Sequence, residues 1–246
     1  DSGKALSEVV FRIFPNALKD DGDLPVGNSA KAFPQGANFG GVKFTRAMLG
    51  AEPLTYTMDG KYSTTLRAQM PESLEPGESA TFLFAWKMDV PKGFFPLSYS
   101  ATGSQNSWFY LQPAQYDGSK WLLTDIAQTG NPWFNESADY ECVVRVDSKL
   151  GFASTGDVES TVDVGEMRVY TIRARSARNF AFATTSHSRM TTQQTESVTV
   201  TAYSAYNEKA NLMAGRAVDI LNYYTPILGD YPGNTLEIVQ ANLSEE

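Results

Sequence analysis

Side chains able to bind a metal or act as a nucleophile are scarce in this chain of 246 residues, which has one histidine, His187, and one cysteine, Cys142. A zinc site of two histidines and one carboxylate cannot form from them, since together they supply at most two nitrogen or sulfur ligands. No Gly-x-Ser-x-Gly motif, dinucleotide-binding glycine motif or Walker loop is present either. We therefore interpret His187 as a polar turn residue and Cys142 as a small buried apolar residue in a strand.

The acidic residues give no specific catalytic pattern. Asp20, Asp21 and Asp23 could hold a calcium ion, but their spacing is not that of an EF-hand loop and favours a solvated turn. The 28 acidic residues leave a carboxylate pair for glycoside cleavage open without indicating one. The net charge of −8 opposes binding to phosphate backbones, so no nucleic-acid partner is expected.

The elements that would position these residues are mostly strands. Short segments rich in Val, Ile, Phe, Tyr and Thr alternate apolar with polar positions, and Pro71, Pro76-Gly77, Pro91 and Gly93 are predicted turns between them. This pattern predicts a mainly β protein with an antiparallel β-sandwich or open-barrel domain. The predicted strands include Glu8–Phe14, Val42–Met48, Ser63–Met70, Ala80–Met88, Asp139–Val146, Met167–Ala174 and Ser197–Tyr203.

The end of the chain has a different pattern. A helix is predicted over residues 207–228, with Asn207 as its N-cap, Glu208 in its first turn and Gly229 as its stop in the αL conformation, followed by a strand at 236–239. We expect residues 1–200 to form the β-domain and residues 201–246 to begin a second, truncated domain. The apolar stripe of the helix comprises Ala210, Met213, Ala214, Ala217, Val218, Ile220, Leu221 and Tyr224, and it needs a partner surface.

Six motifs resemble the N-terminal region of the zinc aminopeptidase family typified by aminopeptidase N, a family of gluzincin metallopeptidases, and they occur along the chain in the same order as in that family. The segment Ala153-Ser-Thr-Gly156 is similar to the family's A-S-T-G, and Arg178–Ala183 is similar to its R-D-F-A strand. Leu228–Pro232 is similar to its F-G-x-Y-P turn. The resemblance also rests on Pro15-Asn16, on Thr64–Glu78 and on Phe134–Val146.

The resemblance implies a non-catalytic N-terminal β-domain, an antiparallel β-sandwich or saddle, that walls the substrate cleft of a peptidase. Zinc is then expected in the catalytic domain of the same polypeptide, which would carry His-Glu-x-x-His, and the chain is interpreted as a fragment. A peptide is the implied substrate, and a Glu or Gln of this domain is expected to bind its free amine. The candidates are Gln105, Gln112 and Gln115.

An alternative is a free-standing sandwich that binds carbohydrate or protein. The segment Gly93–Gly130 departs from the strand pattern and is rich in aromatic residues, which either line a ligand site or cap the core. A homodimer through helix 207–228 is a further expectation. The low cysteine content favours an extracytoplasmic or membrane-anchored parent protein. The aromatic residues that would bind the ligand of the alternative are Trp108, Tyr110, Trp121 and Trp133.

Overall fold

The computed structural model of the chain describes residues 3–19, 32–33, 39–60, 63–93, 96–127, 131–187 and 189–240. With 52% strand and 14% helix, the protein is mainly β, and its sheets are predominantly antiparallel, which confirms the predicted fold class. No helix within the described ranges is long and apolar enough to cross a membrane. The predicted calcium-binding or turn residues Asp20, Asp21 and Asp23 lie outside the described residues.

The strands follow one another along nearly the whole described chain. Up to residue 116 they are β1 (Leu6–Arg12), β2 (Gly41–Leu49), β3 (Glu52–Pro53), β4 (Tyr56–Asp59), β5 (Thr65–Leu74), β6 (Phe82–Asp89), β7 (Leu97–Ser100), β8 (Gly103–Ser107), β9 (Gln112–Pro113) and β10 (Gln115–Tyr116). They continue as β11 (Trp121–Leu122), β12 (Ala138–Asp147), β13 (Gly151–Ser154), β14 (Asp157–Val164), β15 (Met167–Ala177), β16 (Ala181–Thr185), β17 (Arg189–Gln194) and β18 (Thr199–Ser204). After β18 come the helix α1 (Asn207–Leu228) and β19 (Thr235–Val239).

The chain forms two compact units. The first comprises Asp1–Ser98 and Trp108–Glu136, and the second comprises Tyr99–Ser107 and Ser137–Glu246. The predicted division near residue 200 remains a prediction, and α1 packs on strands of the second unit.

The first unit is built from two antiparallel sheets, of order β4-β5-β1-β9 and β3-β2-β6. Apolar side chains from both sheets meet in one cluster, so the sheets pack face to face as a sandwich. The ring of Phe11 contacts the rings of Phe82 and Phe84 edge to face, with centroids 5.1 and 5.2 Å apart. The buried members of the cluster are Phe11, Ile13, Val42, Leu54, Leu66 and Ala68.

Two prolines change the predicted strand ends. The strand predicted over Glu8–Phe14 stops at Arg12, because Pro15 lacks an N–H for the ladder and a 3₁₀ helix begins at Phe14. Pro71, a predicted turn residue, lies instead within β5. It falls in the irregular stretch where the pairing with β1 jumps from Gln69 to Leu74, so it does not have to donate a ladder hydrogen bond.

The second unit contains an antiparallel sheet of order β12-β15-β14 and a sheet of order β13-β16-β8-β7. Phe152 of β13 stacks on Tyr170 of β15, with ring centroids 4.1 Å apart, and joins the two sheets. Ile172 and Phe180 are fully buried in this unit. Cys142 lies in β12 as predicted, opposite Ile172, and partial burial raises the pKa of its thiol.

A third sheet of the second unit has the order β17-β18-β19 and is covered by α1. The pair β18 and β19 is parallel, and α1 is the connection between them, as a parallel pair requires. Alanines at 210, 214 and 217 are buried, and the last two pack against Val198, Val200 and Ala202. Their small side chains allow the helix to lie close to the strands.

The predicted bounds of the helix are confirmed, and three details differ. Ile220 and Tyr224, predicted on the buried stripe, are 56% and 48% exposed. Ile220 points away from the sheet, and Tyr224 lies beyond Leu221, the last helical residue that packs in the shared core. Asn207 is the first helical residue, not the cap, and Tyr206 precedes it without a side-chain cap. Gly229 ends the helix as predicted, but its φ of 90° and ψ of 178° lie outside the αL region expected for it.

Candidate substrate-contacting site

The three glutamines predicted to contact substrate occupy different surroundings. Gln112 and Gln115 belong to the first unit, in the short strands β9 and β10. Gln105 belongs to the second unit, where its backbone pairs with Ala183 across β8 and β16. The first unit therefore holds two of the three candidates, three residues apart in the chain.

Gln112 is buried, with 3% of its surface exposed, and both ends of its amide are occupied. Its Oε1 accepts a hydrogen bond from Trp133 Nε1 at 3.0 Å, and its Nε2 donates to Tyr110 Oη at 3.1 Å. Breaking either bond to admit a ligand would leave a buried polar atom unpaired, at a cost of about 1–3 kcal/mol. Gln112 thus positions two aromatic side chains.

Arg12 completes this buried cluster. Its guanidinium lies over the ring of Trp133, 4.6 Å from the centroid, and Nη2 donates to the carbonyl oxygen of Thr124 at 2.6 Å. Burial lowers the pKa of the guanidinium, and the nearby carboxylate of Asp125 opposes that shift. The Nε atom is buried and has no hydrogen-bond partner among the described residues.

Gln115 is half-buried and contacts a carboxylate at the surface. Its Nε2 donates to Oε1 of Glu136, which is exposed, at 2.8 Å. Neither side chain makes a further hydrogen bond to a described residue. Gln115 Oε1 and the second oxygen of Glu136 are therefore available as acceptors for an ammonium group.

A rigid hairpin supports Gln115. Its backbone pairs with Leu122 across β10 and β11, and the rings of Tyr116 and Trp121 meet edge to face at 5.1 Å. At the turn, one oxygen of Asp117 accepts hydrogen bonds from the Ser119 hydroxyl and from two backbone N–H groups. These bonds hold the pKa of Asp117 at about 2, so its carboxylate is ionised and able to accept all three bonds near neutral pH.

The four aromatic residues expected to bind carbohydrate or protein do not form one exposed surface. Trp108 and Trp133 are 7% and 9% exposed and belong to the core of the first unit, where both contact Phe14 edge to face. The expectation that they bind a ligand at the surface is therefore wrong, since their rings pack in the core. Tyr110 and Trp121 are half-buried.

The metal-binding residue types do not converge. Among the described residues, no three His, Cys, Asp or Glu side chains come together as a metal site. His187 follows β16 outside any strand, as predicted for a turn, but it is buried rather than solvated. Its backbone N–H donates to Thr185 Oγ1 at 3.0 Å, and its Nε2 has no hydrogen-bond partner among the described residues.

Sequence reasoning did not find Arg12, Trp133 as the partner of Gln112, or Glu136 as the partner of Gln115. Arg12 and Thr124 are 112 positions apart, and each glutamine and its partner are 21 positions apart. No local pattern connects residues at such separations. The segment 134–146 did match a family motif, which placed Glu136 within it without giving it a role.

Comparison with solved structures places this fold among M1 zinc metallopeptidases. The M1 zinc metallopeptidase from Deinococcus radiodurans aligns with a TM-score of 0.56 at 11% identity, over 96% of this chain and 49% of that chain. A mutant M1 enzyme from the same organism bound to a Tyr-Ser-Ala substrate gives the same values. A mutant two-domain M1 zinc metallopeptidase bound to L-arginine gives a TM-score of 0.55 at 10% identity, with the same coverage.

The similarity is one of fold, and this chain spans about half the length of each of these neighbours. The shared fold is that of the N-terminal domain of M1 peptidases. No protein-family model matches the sequence, and no curated protein matches it.

Proposed function

We propose that this chain is the non-catalytic N-terminal β-domain of a zinc aminopeptidase, together with the first helix and strand of the catalytic domain. The observation that carries the proposal is the alignment of 96% of this chain to about half of an M1 zinc metallopeptidase. The parallel β18-α1-β19 unit at the end of the described chain supports it, since it differs from the antiparallel sheets before it. Zinc and the catalytic residues then belong to the catalytic domain of the same polypeptide.

The role that follows for the β-domain is to wall the cleft in which a peptide substrate lies. Within it, Gln115 with Glu136 is the best suited of the three candidates to bind the substrate's free amine. Glu136 is exposed and carries the negative charge that an ammonium group requires, and the amide oxygen of Gln115 lies beside it. The amide of Gln112 is buried and already bonded, so it positions Trp133 and Tyr110 instead.

The test compares two proteins for zinc content and for hydrolysis of aminoacyl-p-nitroanilides. The longest polypeptide encoded by the gene that contains this sequence is expected to hold one zinc per chain and to be active. The 246-residue chain alone is expected to show neither property. A long polypeptide without zinc or activity, or an active 246-residue chain, contradicts the proposal.

In the active polypeptide, Glu136→Gln removes the charge that faces the ammonium. We expect it to raise KM by about tenfold, which corresponds to one charge-assisted hydrogen bond, with a smaller change in kcat. Glu72→Gln is the matched control, because Glu72 is also an exposed glutamate of the same unit, and the KM of this variant should not change. Equal KM values for both variants contradict the assignment of Glu136 while leaving the proposed function intact.

A further inference from the structure

The helix α1 has an exposed face opposite the sheet it covers. At about 100° per residue, four of its residues fall within about 60° of one another on the side opposite Ala214. Leu212 and Tyr223 are 60% and 65% exposed, and the side chains of Arg216 and Asp219 are each 72% exposed. The outer face of α1 is defined by Leu212, Arg216, Asp219 and Tyr223.

The spacing of the residues on the outer face is the same from either end, and its two central residues carry opposite charges. Along the chain the residue types run apolar, basic, acidic, apolar, with separations of four, three and four positions between Leu212, Arg216, Asp219 and Tyr223. An interface between two identical copies related by a two-fold axis requires each contact to occur twice with the roles exchanged. A face with symmetric spacing and opposite central charges is complementary to itself, and so satisfies this requirement, when two copies of the helix lie antiparallel.

We propose that the outer face of α1 is a homodimer interface, formed with α1 of a second copy of this chain in antiparallel orientation. Leu212 of one copy then lies opposite Tyr223 of the other, and Arg216 lies opposite Asp219. The two-fold axis repeats both contacts, which gives two intermolecular ion pairs between two apolar contacts. The proposal rests on α1 and not on the proposed function.

Charge favours this face over others for self-association. The chain carries a net charge of −8, so most pairs of its surfaces repel one another. The helix carries two acidic and two basic residues, Glu208, Asp219, Lys209 and Arg216, and is neutral. Within one copy, Arg216 and Asp219 are 3.8 Å apart and highly exposed, a pair that contributes little and is free to exchange partners.

The exposed area of this side of the helix is also close to that of a stable interface. Ile220 and Ile227 flank the outer face and are 56% and 60% exposed. Together with the four residues of the outer face they offer on the order of 600 Å² of exposed surface, about two-thirds of it on apolar residues, taking roughly 100 Å² for each exposed side chain. A stable interface buries about 800 Å² per partner, so this face supplies most of that area.

The test measures the mass of the 246-residue chain by sedimentation equilibrium over a range of concentrations. The chain is expected to have twice its monomer mass at high concentration. Arg216→Glu places two acidic residues opposite two others and should raise the dimer Kd by at least about tenfold, as should Asp219→Lys, which makes both positions basic. Arg145→Glu is the control, because Arg145 is exposed on β12 and its reversal should leave the mass unchanged.

Two rescues make the orientation testable. An equimolar mixture of Arg216→Glu and Asp219→Lys chains should form a heterodimer, because an all-acidic face then meets an all-basic one. The double variant Arg216→Glu with Asp219→Lys should dimerise as the natural chain does. Three results would overturn the proposal: a natural chain that stays monomeric, a dimer that tolerates Arg216→Glu, or a mixture of the two variants that stays monomeric. A natural chain that is monomeric because another part of a longer polypeptide covers the outer face counts as the first of these results.

Discussion

At the scale of single residues, the fold gives neighbouring side chains of one type opposite roles. Gln112 is buried and bonded at both ends of its amide, whereas Gln115 lies at the surface beside Glu136. The difference comes from the backbone, since β9 pairs with β1 beneath the core aromatics and β10 forms an outer hairpin with β11. A positioning residue and a candidate ligand contact thus lie three residues apart.

Glu237 is a second residue whose environment decides its chemistry. Its carboxylate, in β19, accepts a hydrogen bond from the backbone N–H of Ser154 in β13 at 2.7 Å. Burial raises the pKa of Glu237, and the hydrogen bond from Ser154 only partly opposes this. Burial and the charges of Glu237 and Tyr170 also raise the pKa of Tyr203 to about 12. The folded state therefore holds a proton on Glu237 more tightly than the unfolded state does.

The sign of the resulting pH dependence follows by linkage. Glu237 stabilises the fold most below its ordinary pKa, and this contribution is lost as the pH rises through the raised pKa of the folded state. Glu237→Gln is neutral at every pH and keeps an oxygen for the Ser154 N–H. We expect the free energy of unfolding of the variant, relative to the natural chain, to increase between about pH 4 and pH 7 in urea titrations.

Asp163→Asn serves as the control of opposite sign. Hydrogen bonding to Arg168 lowers the pKa of Asp163, so its contribution is present at neutral pH and lost as the pH falls. The change should be small because the pair is exposed. A stability difference for Glu237→Gln that is constant across the pH range would show that its carboxylate titrates as in the unfolded chain.

At the scale of elements, α1 has an inner face, which packs on β17 and β18, and an exposed outer face. Leu221 packs against the cluster formed by Val198, Val200 and Ala202, whereas Leu228 is 77% exposed at the end of the same helix. The same substitution at these two positions therefore separates packing from helix propensity. Pro226 lies between them, near the end of the helix, where only its last turn is affected.

Leu221→Ala should lower the free energy of unfolding by about 1–2 kcal/mol, less than the roughly 2–5 kcal/mol of a fully buried leucine, because Leu221 is only half-buried. Leu228→Ala should change it by less than about 0.5 kcal/mol. Urea unfolding followed by circular dichroism measures both. Equal effects at the two positions would mean that α1 is not packed on this sheet through Leu221.

At the scale of the whole molecule, the β-structure is expected to fold without the last helix and strand, but less stably. A chain of residues 1–203 keeps the sandwich of the first unit and the sheets β12-β15-β14 and β13-β16-β8-β7. It loses the cover of Val200 and Ala202, both completely buried beneath α1. Strand β18 also loses its parallel neighbour β19.

Circular dichroism of residues 1–203 should show β-structure and a cooperative melt, at a lower Tm than that of the full chain. The fall in Tm reflects the apolar area that α1 covers, at roughly 25 cal/mol per Å². A helix-dominated spectrum contradicts the predicted β-domain. An unchanged Tm contradicts the packing of α1 on β17 and β18.

The sequence alone determined the features that depend on local periodicity. Alternating apolar residues predicted a mainly β fold, and the 3.6-residue stripe predicted the helix with its observed bounds, Asn207–Leu228. Gly229 was found because a φ of 90° suits glycine. The strand ends near Pro15 and the position of Pro71 were wrong, since the ladder partners of a residue decide whether a proline is tolerated there.

Only the tertiary structure decided which side chains are buried and which meet. Trp108 and Trp133 were candidates for an exposed surface until the fold placed both against Phe14. The pairs Gln112 with Trp133 and Gln115 with Glu136 join residues 21 positions apart, and β18 with β19 pair across a helix. Local sequence encodes the form of each element, whereas contacts between elements depend on how distant segments pack to remove apolar area from water.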